Sequence, residues 1–208
     1  KKRGFRSETP SNVDYDQYTL GWMAYDMKNI VQFTNTEFQK VEIYDVINPR
    51  YRQLENFRKS LVKDNSYESH HPELFRPDRI VYLDGIMQSR RFGESEYHEA
   101  IVHPAMLAHR NPKRVAVIGG GEGATLREIL KHKTVDTVTV IEIDDAMVNI
   151  SRALLSDWSS CENMEGSTES CFDDPRTEIV YMDAPDWFGS TFGGESHVDA
   201  VKKYDVII

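Results

Sequence analysis

The sequence predicts an α/β fold: a small N-terminal β-strand domain followed by a doubly wound parallel sheet. Three observations lead there. The stretch Arg114-Val-Ala-Val-Ile-Gly-Gly-Gly-Glu-Gly-Ala-Thr-Leu-Arg127 is an apolar strand pattern that runs into glycines and then into a helix pattern, an arrangement that brings backbone close to a ligand. Strands and helices then alternate, with strands over 115–118, 137–143, 177–181 and 204–208 and helices over 124–132 and 145–155; this alternation requires a parallel sheet covered on both faces. Upstream, Phe38-x-x-Val41-x-Ile43 and Arg79-Ile-Val-Tyr-Leu-Asp-Gly85 read as strands, the second ending in an Asp84-Gly85 turn.

Residues 1–30 mix charges and aromatics without a sustained period and read as a tail or a weakly signalled helix around 15–28. Residues 31–92 form the expected β domain, with a charged, proline-containing insertion over 50–77. Residues 93–208 form the first part of the larger domain. It opens with a helix over 96–109 that Pro104 should kink or restart. The stretch 156–174, rich in Ser, Glu, Asp and Asn, reads as a mobile surface loop. The chain stops at Tyr204-Asp-Val-Ile-Ile208, inside an apparent buried strand. A doubly wound sheet normally has more strands, so the sheet is expected to be truncated at its C-terminus and the 208 residues to be part of a longer protein.

With 39% hydrophobic residues the chain can bury a core. A net charge of −9 and the absence of a long Lys/Arg run argue against nucleic acid as a partner. Cys161 and Cys171 are too few for a disulfide framework and lack metal-ligand spacing, so they read as free surface thiols. No apolar run has the length of a membrane span and no signal-peptide pattern is present. A cytoplasmic location is expected, with organelle import left open.

The glycine loop carries a carboxylate, Glu122, where a phosphate-binding loop would avoid negative charge. It therefore points to a cationic ligand. The spacing Gly119-x-Gly121-x-x-Ala124 alone would not separate a dinucleotide from an adenosyl-sulfonium compound. Glu142 ends the second strand about 20 residues later, where an acid accepts hydrogen bonds from ribose hydroxyls. Asp144 and Asp145 read as caps of the next helix. Asp183 ends the following strand and could accept from an adenine amino group. Gln88, Tyr97, His98 and Glu99 follow the Asp84-Gly85 turn, and the Tyr–His pair could hold an ammonium. Without context Tyr97 reads as core and His98 as surface. His98 and His103 lie about 140° apart around a helix, so the pair does not make a zinc helix, and no metal is expected.

In order and spacing, Leu83-Asp-Gly-Ile-Met-Gln-Ser89, Glu96-Tyr-His-Glu99, His103-Pro104, the run from Asn111 to Gly123, His132-Lys-Thr-Val135 and Ile141-Glu-Ile-Asp144 resemble the polyamine aminopropyltransferases, the spermidine and spermine synthases. Gly-Gly-Gly-Glu-Gly followed by His-Lys-Thr-Val is closest in motif to thermospermine synthase-like members. The resemblance covers about residues 36–208, Thr36-Glu-Phe-Gln39 being similar to the family's entry strand. It implies a Rossmann-like, class I methyltransferase-like domain. It also implies transfer of the aminopropyl group of decarboxylated S-adenosylmethionine to a polyamine such as spermidine or putrescine, releasing methylthioadenosine. The donor is then a co-substrate, and no cofactor is expected.

Carried over by motif, Gln39, Glu142, Asp183 and the Asp183-Ala184 backbone hold the nucleoside, with Gly121 in the loop beneath it. Gln88 and Glu122 hold the cationic aminopropyl end, and Tyr97 with His98 the amine acceptor. The resemblance places the catalytic Asp just after Ile208, so no catalytic base is expected within the chain and the 208 residues alone are expected to be inactive. It also implies a homodimer or homotetramer. Gly93-Glu94-Ser95-Glu96 departs from the family's Asp-Glu-Phe-type approach, and Ala184 stands where Gly is common. Two other readings compete: a non-catalytic or altered family member, and an S-adenosylmethionine-dependent methyltransferase.

Overall fold

A computed structural model describes residues 27–46, 76–164, 168–193 and 204–208. The insertion expected over 50–77 lies almost wholly outside the described residues, as does most of 1–30. The described chain divides into two compact units, one holding the first four strands to Arg90, the other Thr36–Phe38 with Arg91–Ile208.

The first unit is an antiparallel sheet in the order β1 (Met27–Asn35), β2 (Lys40–Val46), β3 (Asp78–Leu83), β4 (Ile86–Arg90). Strand β1 begins inside the stretch expected to be tail or helix, because pairing with β2 decides its conformation where its own periodicity is weak. Asp84 and Gly85 both take positive φ, 51° and 79°, the geometry of a two-residue hairpin whose twist matches its strands. Tyr44, Val46, Ile80 and Tyr82 form one buried cluster of this unit, and Val41, Ile43 and Val81 are buried as well.

The second unit is an α/β domain whose sheet is parallel, in the order β7 (Thr177–Tyr181), β6 (Thr137–Glu142), β5 (Arg114–Ile118), β8 (Val206–Ile207). The order reverses direction at β5, and the crevice at the carboxyl ends beside such a reversal is where open α/β sheets bind ligands. Helix α1 (Glu94–Ala108) precedes the sheet and runs through Pro104 without interruption. Helices α2 (Ala124–Leu130), α3 (Asp145–Leu154) and α4 (Ala184–Phe192) make the crossovers. Val115, Val117, Val138 and Val140 pack with Leu126, Ile129 and Val148, and the intervening Ala116, Thr139 and Ile141 are buried too, so both faces of the central strands are covered. Helix α4 escapes an apolar-period reading because none of its residues is buried, yet its start is written locally: Asp183 caps it, accepting from Asp186 N at 3.3 Å, and Pro185 follows.

Two expectations are corrected. Cys161 and Cys171 are not free surface thiols: they are buried and disulfide-bonded, with Cα atoms 5.1 Å apart. The reason is a fold-back of the chain, which pairs Ser160 with Ser170 and sets the two cysteines side by side. The described part of 156–174 is likewise not all at the surface: Trp158, Ser159, Phe172 and Asp174 are buried along with both cysteines, while Ser156, Glu162, Asn163, Glu169 and Asp173 are exposed. Polar composition misleads here because Ser170 caps a 3-10 turn, Cys171–Asp173, and Asp174 is paired with Arg176 at 2.9 Å.

Candidate active site

The glycine loop leaves β5 and turns directly into α2. Gly119 N–H donates to Ile141 O at 2.8 Å, and Gly123 N–H donates to Gly120 O at 2.9 Å, closing the turn. Gly123 has φ 85°, and a Cβ there would stand 2.6 Å from Ser159 Cβ and 2.7 Å from Phe172 Cζ. Only glycine fits that position on both counts. At Gly121 the constraint is the neighbour: a Cβ would lie 2.9 Å from Glu142 Oε2. That same oxygen accepts the Gly121 N–H at 3.0 Å, while Oε1 accepts from Asp144 N at 3.0 Å. Both Glu142 oxygens are thus oriented by backbone at the end of β6. Burial pushes the Glu142 carboxyl above its usual range, opposed by these donors and reinforced by the charge of Glu122.

Asp144 caps α3, accepting from Met147 N at 3.2 Å, and its second oxygen accepts from Thr36 Oγ1 at 2.7 Å. The Thr36-Glu-Phe segment therefore lies beside the end of β6. Met182 N–H donates to Glu142 O at 3.1 Å, which places Asp183 just past the strand neighbouring that acid. Asp183 and Ala184 are half-buried.

His98 and Tyr97 reverse the expectation drawn from their residue types. His98 is 3% exposed and Tyr97 60% exposed. The physical reason is charge: His98 sits between two carboxylates. Its Nδ1 faces Glu94 O at 2.7 Å and Glu94 Oε2 at 3.2 Å, and its Nε2 faces Glu122 Oε1 at 3.1 Å. Burial favours the neutral ring, but the bonds to Glu122 and Glu94 prevail and raise its pKa to about 9. At neutral pH the ring is charged and both nitrogens donate. The Tyr97 ring meets it edge to face at 5.1 Å.

Glu94 and Arg127 were not singled out in the sequence. Arg127 donates from Nη1 and Nη2 to the two Glu94 oxygens, each at 2.9 Å, and from Nη1 to Trp158 O at 2.9 Å. Burial pushes the Glu94 carboxyl up, yet His98 and Arg127 together hold it below its usual value. The signal available in the sequence was spacing alone: Glu94 and His98 are one helical turn apart.

The structure thus brings Gly121, Glu122, Glu142 and His98 together, with Tyr97 at the rim and Asp183 and Ala184 on the next strand end. Gln39 and Gln88 belong to the antiparallel unit, half-buried and exposed respectively. His103 turns away from this group, its Nδ1 3.0 Å from His132 Nε2 and its Nε2 3.4 Å from Glu128 Oε2. Glu99, His103 and Glu128 offer three ligand atoms within 4.8 Å of one another, and the ammonium of Lys131 lies 2.6 Å from Glu128 and 3.9 Å from Glu99.

Residues 94–208 match the spermine/spermidine synthase domain. The chain belongs to the spermine/spermidine synthase family. Curated relatives are similar: a polyamine aminopropyltransferase of Thermococcus onnurineus (strain NA1) is 32% identical over 206 residues, covering 99% of this chain and 56% of that protein. Polyamine aminopropyltransferase 1 of Hyperthermus butylicus is 46% identical over 105 residues, 50% of this chain and 33% of that one. Among solved structures of the family, a spermidine synthase from Thermotoga maritima aligns with TM-score 0.61 at 28% identity, over 88% of this chain and 48% of its own. A spermidine synthase in complex with the transition-state analogue AdoDATO aligns with TM-score 0.57 at 28% identity, over 79% of this chain and 43% of its own. The chain spans about half the length of the curated full-coverage relative and of these structures.

Proposed function

We propose that the protein transfers the aminopropyl group of decarboxylated S-adenosylmethionine to a polyamine. The observation that carries this reading is the pair of oriented carboxylates at one sheet edge: Glu142, fixed by the Gly121 and Asp144 N–H groups, and Glu122, fixed by His98. An adenosyl-sulfonium compound offers ribose hydroxyls to the first and a cationic chain to the second. Half-exposed Ile143 next to Glu142 supplies apolar surface suited to a purine. Asp183 and Ala184 extend the proposed donor contacts, and Tyr97 takes the acceptor, while the roles of Gln39 and Gln88 rest on the family motif alone.

In the reaction the acceptor nitrogen attacks the carbon beside the sulfonium, and the C–S bond breaks with its electron pair going to sulfur. Methylthioadenosine leaves as a neutral thioether, and the new C–N bond forms as nitrogen loses a proton to a base. His98 does not serve as that base at neutral pH, because it already carries its proton between Glu94 and Glu122. The family resemblance assigns the role to an aspartate following β8. The site's own contribution is orientation and electrostatic stabilisation of a cationic substrate.

The methyltransferase reading is disfavoured because intact S-adenosylmethionine would bring its carboxylate toward Glu122. The test is an assay of the full-length protein with decarboxylated S-adenosylmethionine and a panel of putrescine, spermidine and agmatine, products read by mass and chromatography. Methylthioadenosine formed in step with an extended amine is expected, and its absence with every amine refutes the reading. The panel also decides the thermospermine-like subtype. We propose further that the full-length protein is a cytoplasmic homodimer or homotetramer, which sedimentation and cell fractionation test; among the described residues no helix is long and apolar enough to cross a membrane.

A further inference from the structure

Glu94 is buried, charged and outside every role given so far, and its two oxygens are fully engaged. Arg127 grips both at 2.9 Å, and Oε2 also meets His98 Nδ1 at 3.2 Å. Arg127 is itself anchored, donating to Trp158 O at 2.9 Å and through Nε to Glu128 Oε1 at 2.8 Å. The chain Arg127–Glu94–His98–Glu122 therefore runs from the interior of α2 to the glycine loop. A charged pair held this way fixes ring orientation, as a carboxylate does for a histidine in a catalytic triad. Among the described residues Glu122 accepts through Oε1 alone, and its side chain is 21% exposed.

We infer that Glu94, clamped by Arg127, is a positioning residue: it fixes the His98 ring so that Nε2–H is given to one Glu122 oxygen and the other is left for a substrate ammonium or sulfonium. The inference rests on the aminopropyl-transfer reading of the site. The charged groups facing His98 are Glu94 on its own helix and Glu122 on the glycine loop, with Arg127 behind Glu94 and the Tyr97 ring alongside.

Two readouts on the full-length protein test it. In Glu94→Gln, the His98 ring titration followed by NMR, assigned by difference from His98→Asn, moves to lower pH. In the same variant the KM for the substrate whose cation Glu122 holds rises about tenfold, the scale of one charge-assisted hydrogen bond, while kcat changes less. Added to His98→Asn, the Glu94→Gln change has little further effect on KM, because it acts through the ring. Should Glu94→Gln not fold, Glu94→Asp, which keeps the charge but withdraws it by one methylene, is read for the same loss. A His98 titration and KM that do not move in the folded variant, or full additivity with His98→Asn, overturn the positioning role. If the parent protein transfers no aminopropyl group, the functional reading fails, and the His98 titration alone decides whether Glu94 sets the ring.

Discussion

Glu122 is the residue on which charge and geometry converge, one oxygen held by His98 and its charge adding to the burial that raises the Glu142 carboxyl. Replacing it with Gln removes the charge but keeps the shape. In the full-length protein, Glu122→Gln is expected to weaken binding of decarboxylated S-adenosylmethionine by about 1–3 kcal/mol, read by calorimetry, and unchanged affinity would remove the carboxylate from the site. His98 gives a pH signature. It keeps its proton up to about pH 9 in the fold against 6.5 when unperturbed, so the stability it contributes is complete below about 6.5 and is lost as pH rises through about 9. Melting temperature should fall across that window in the parent and fall less in His98→Asn. Glu122 and Glu142 were legible in the sequence because strand-end acids have a fixed place relative to a glycine loop. Glu94 and Arg127 were not, since a buried ion pair between residues 33 positions apart leaves no local pattern.

At the scale of elements, the cysteine-bridged segment meets the glycine loop through Ser159 and Phe172, which sit against Gly123. Reducing the Cys161–Cys171 bridge, or changing both residues to Ser, should lower stability by about 3 kcal/mol in the loop-entropy account, seen as a lower melting temperature. Thiol labelling of the native, unreduced protein should find neither cysteine reactive. Gly123→Ala meets two penalties at once, a left-handed φ and the Ser159 and Phe172 side chains, and should destabilise by more than about 1–2 kcal/mol in chemical denaturation. A loss under half a kcal/mol would show that the segment yields easily. The parallel strands were legible because their apolar runs are continuous, and the Asp84-Gly85 hairpin because its turn chemistry is local. The burial of Trp158, Ser159, Phe172 and Asp174 was hidden because it follows from a cross-link and caps, while the segment's composition resembles a solvated loop.

For the molecule as a whole, acidity and site agree in sign. The net charge of −9 gives a field that favours cationic ligands, and Glu122 and Glu142 focus it at the carboxyl edge of the sheet. The KM for a triamine acceptor should therefore rise as ionic strength goes from about 0.05 to about 0.5 M, by more than it does for a diamine. Equal salt dependence for the two would show that the field plays no part. The seat of Ser159 and Phe172 against Gly123 bears on evolution as well: it should couple substitutions in two distant stretches of sequence. A descendant that shortens the cysteine-bridged segment lifts the steric demand at the loop's last glycine and leaves only the left-handed φ, whereas one that keeps the segment is held by both. Comparing substitution histories at these positions would reveal the linkage without a single binding measurement.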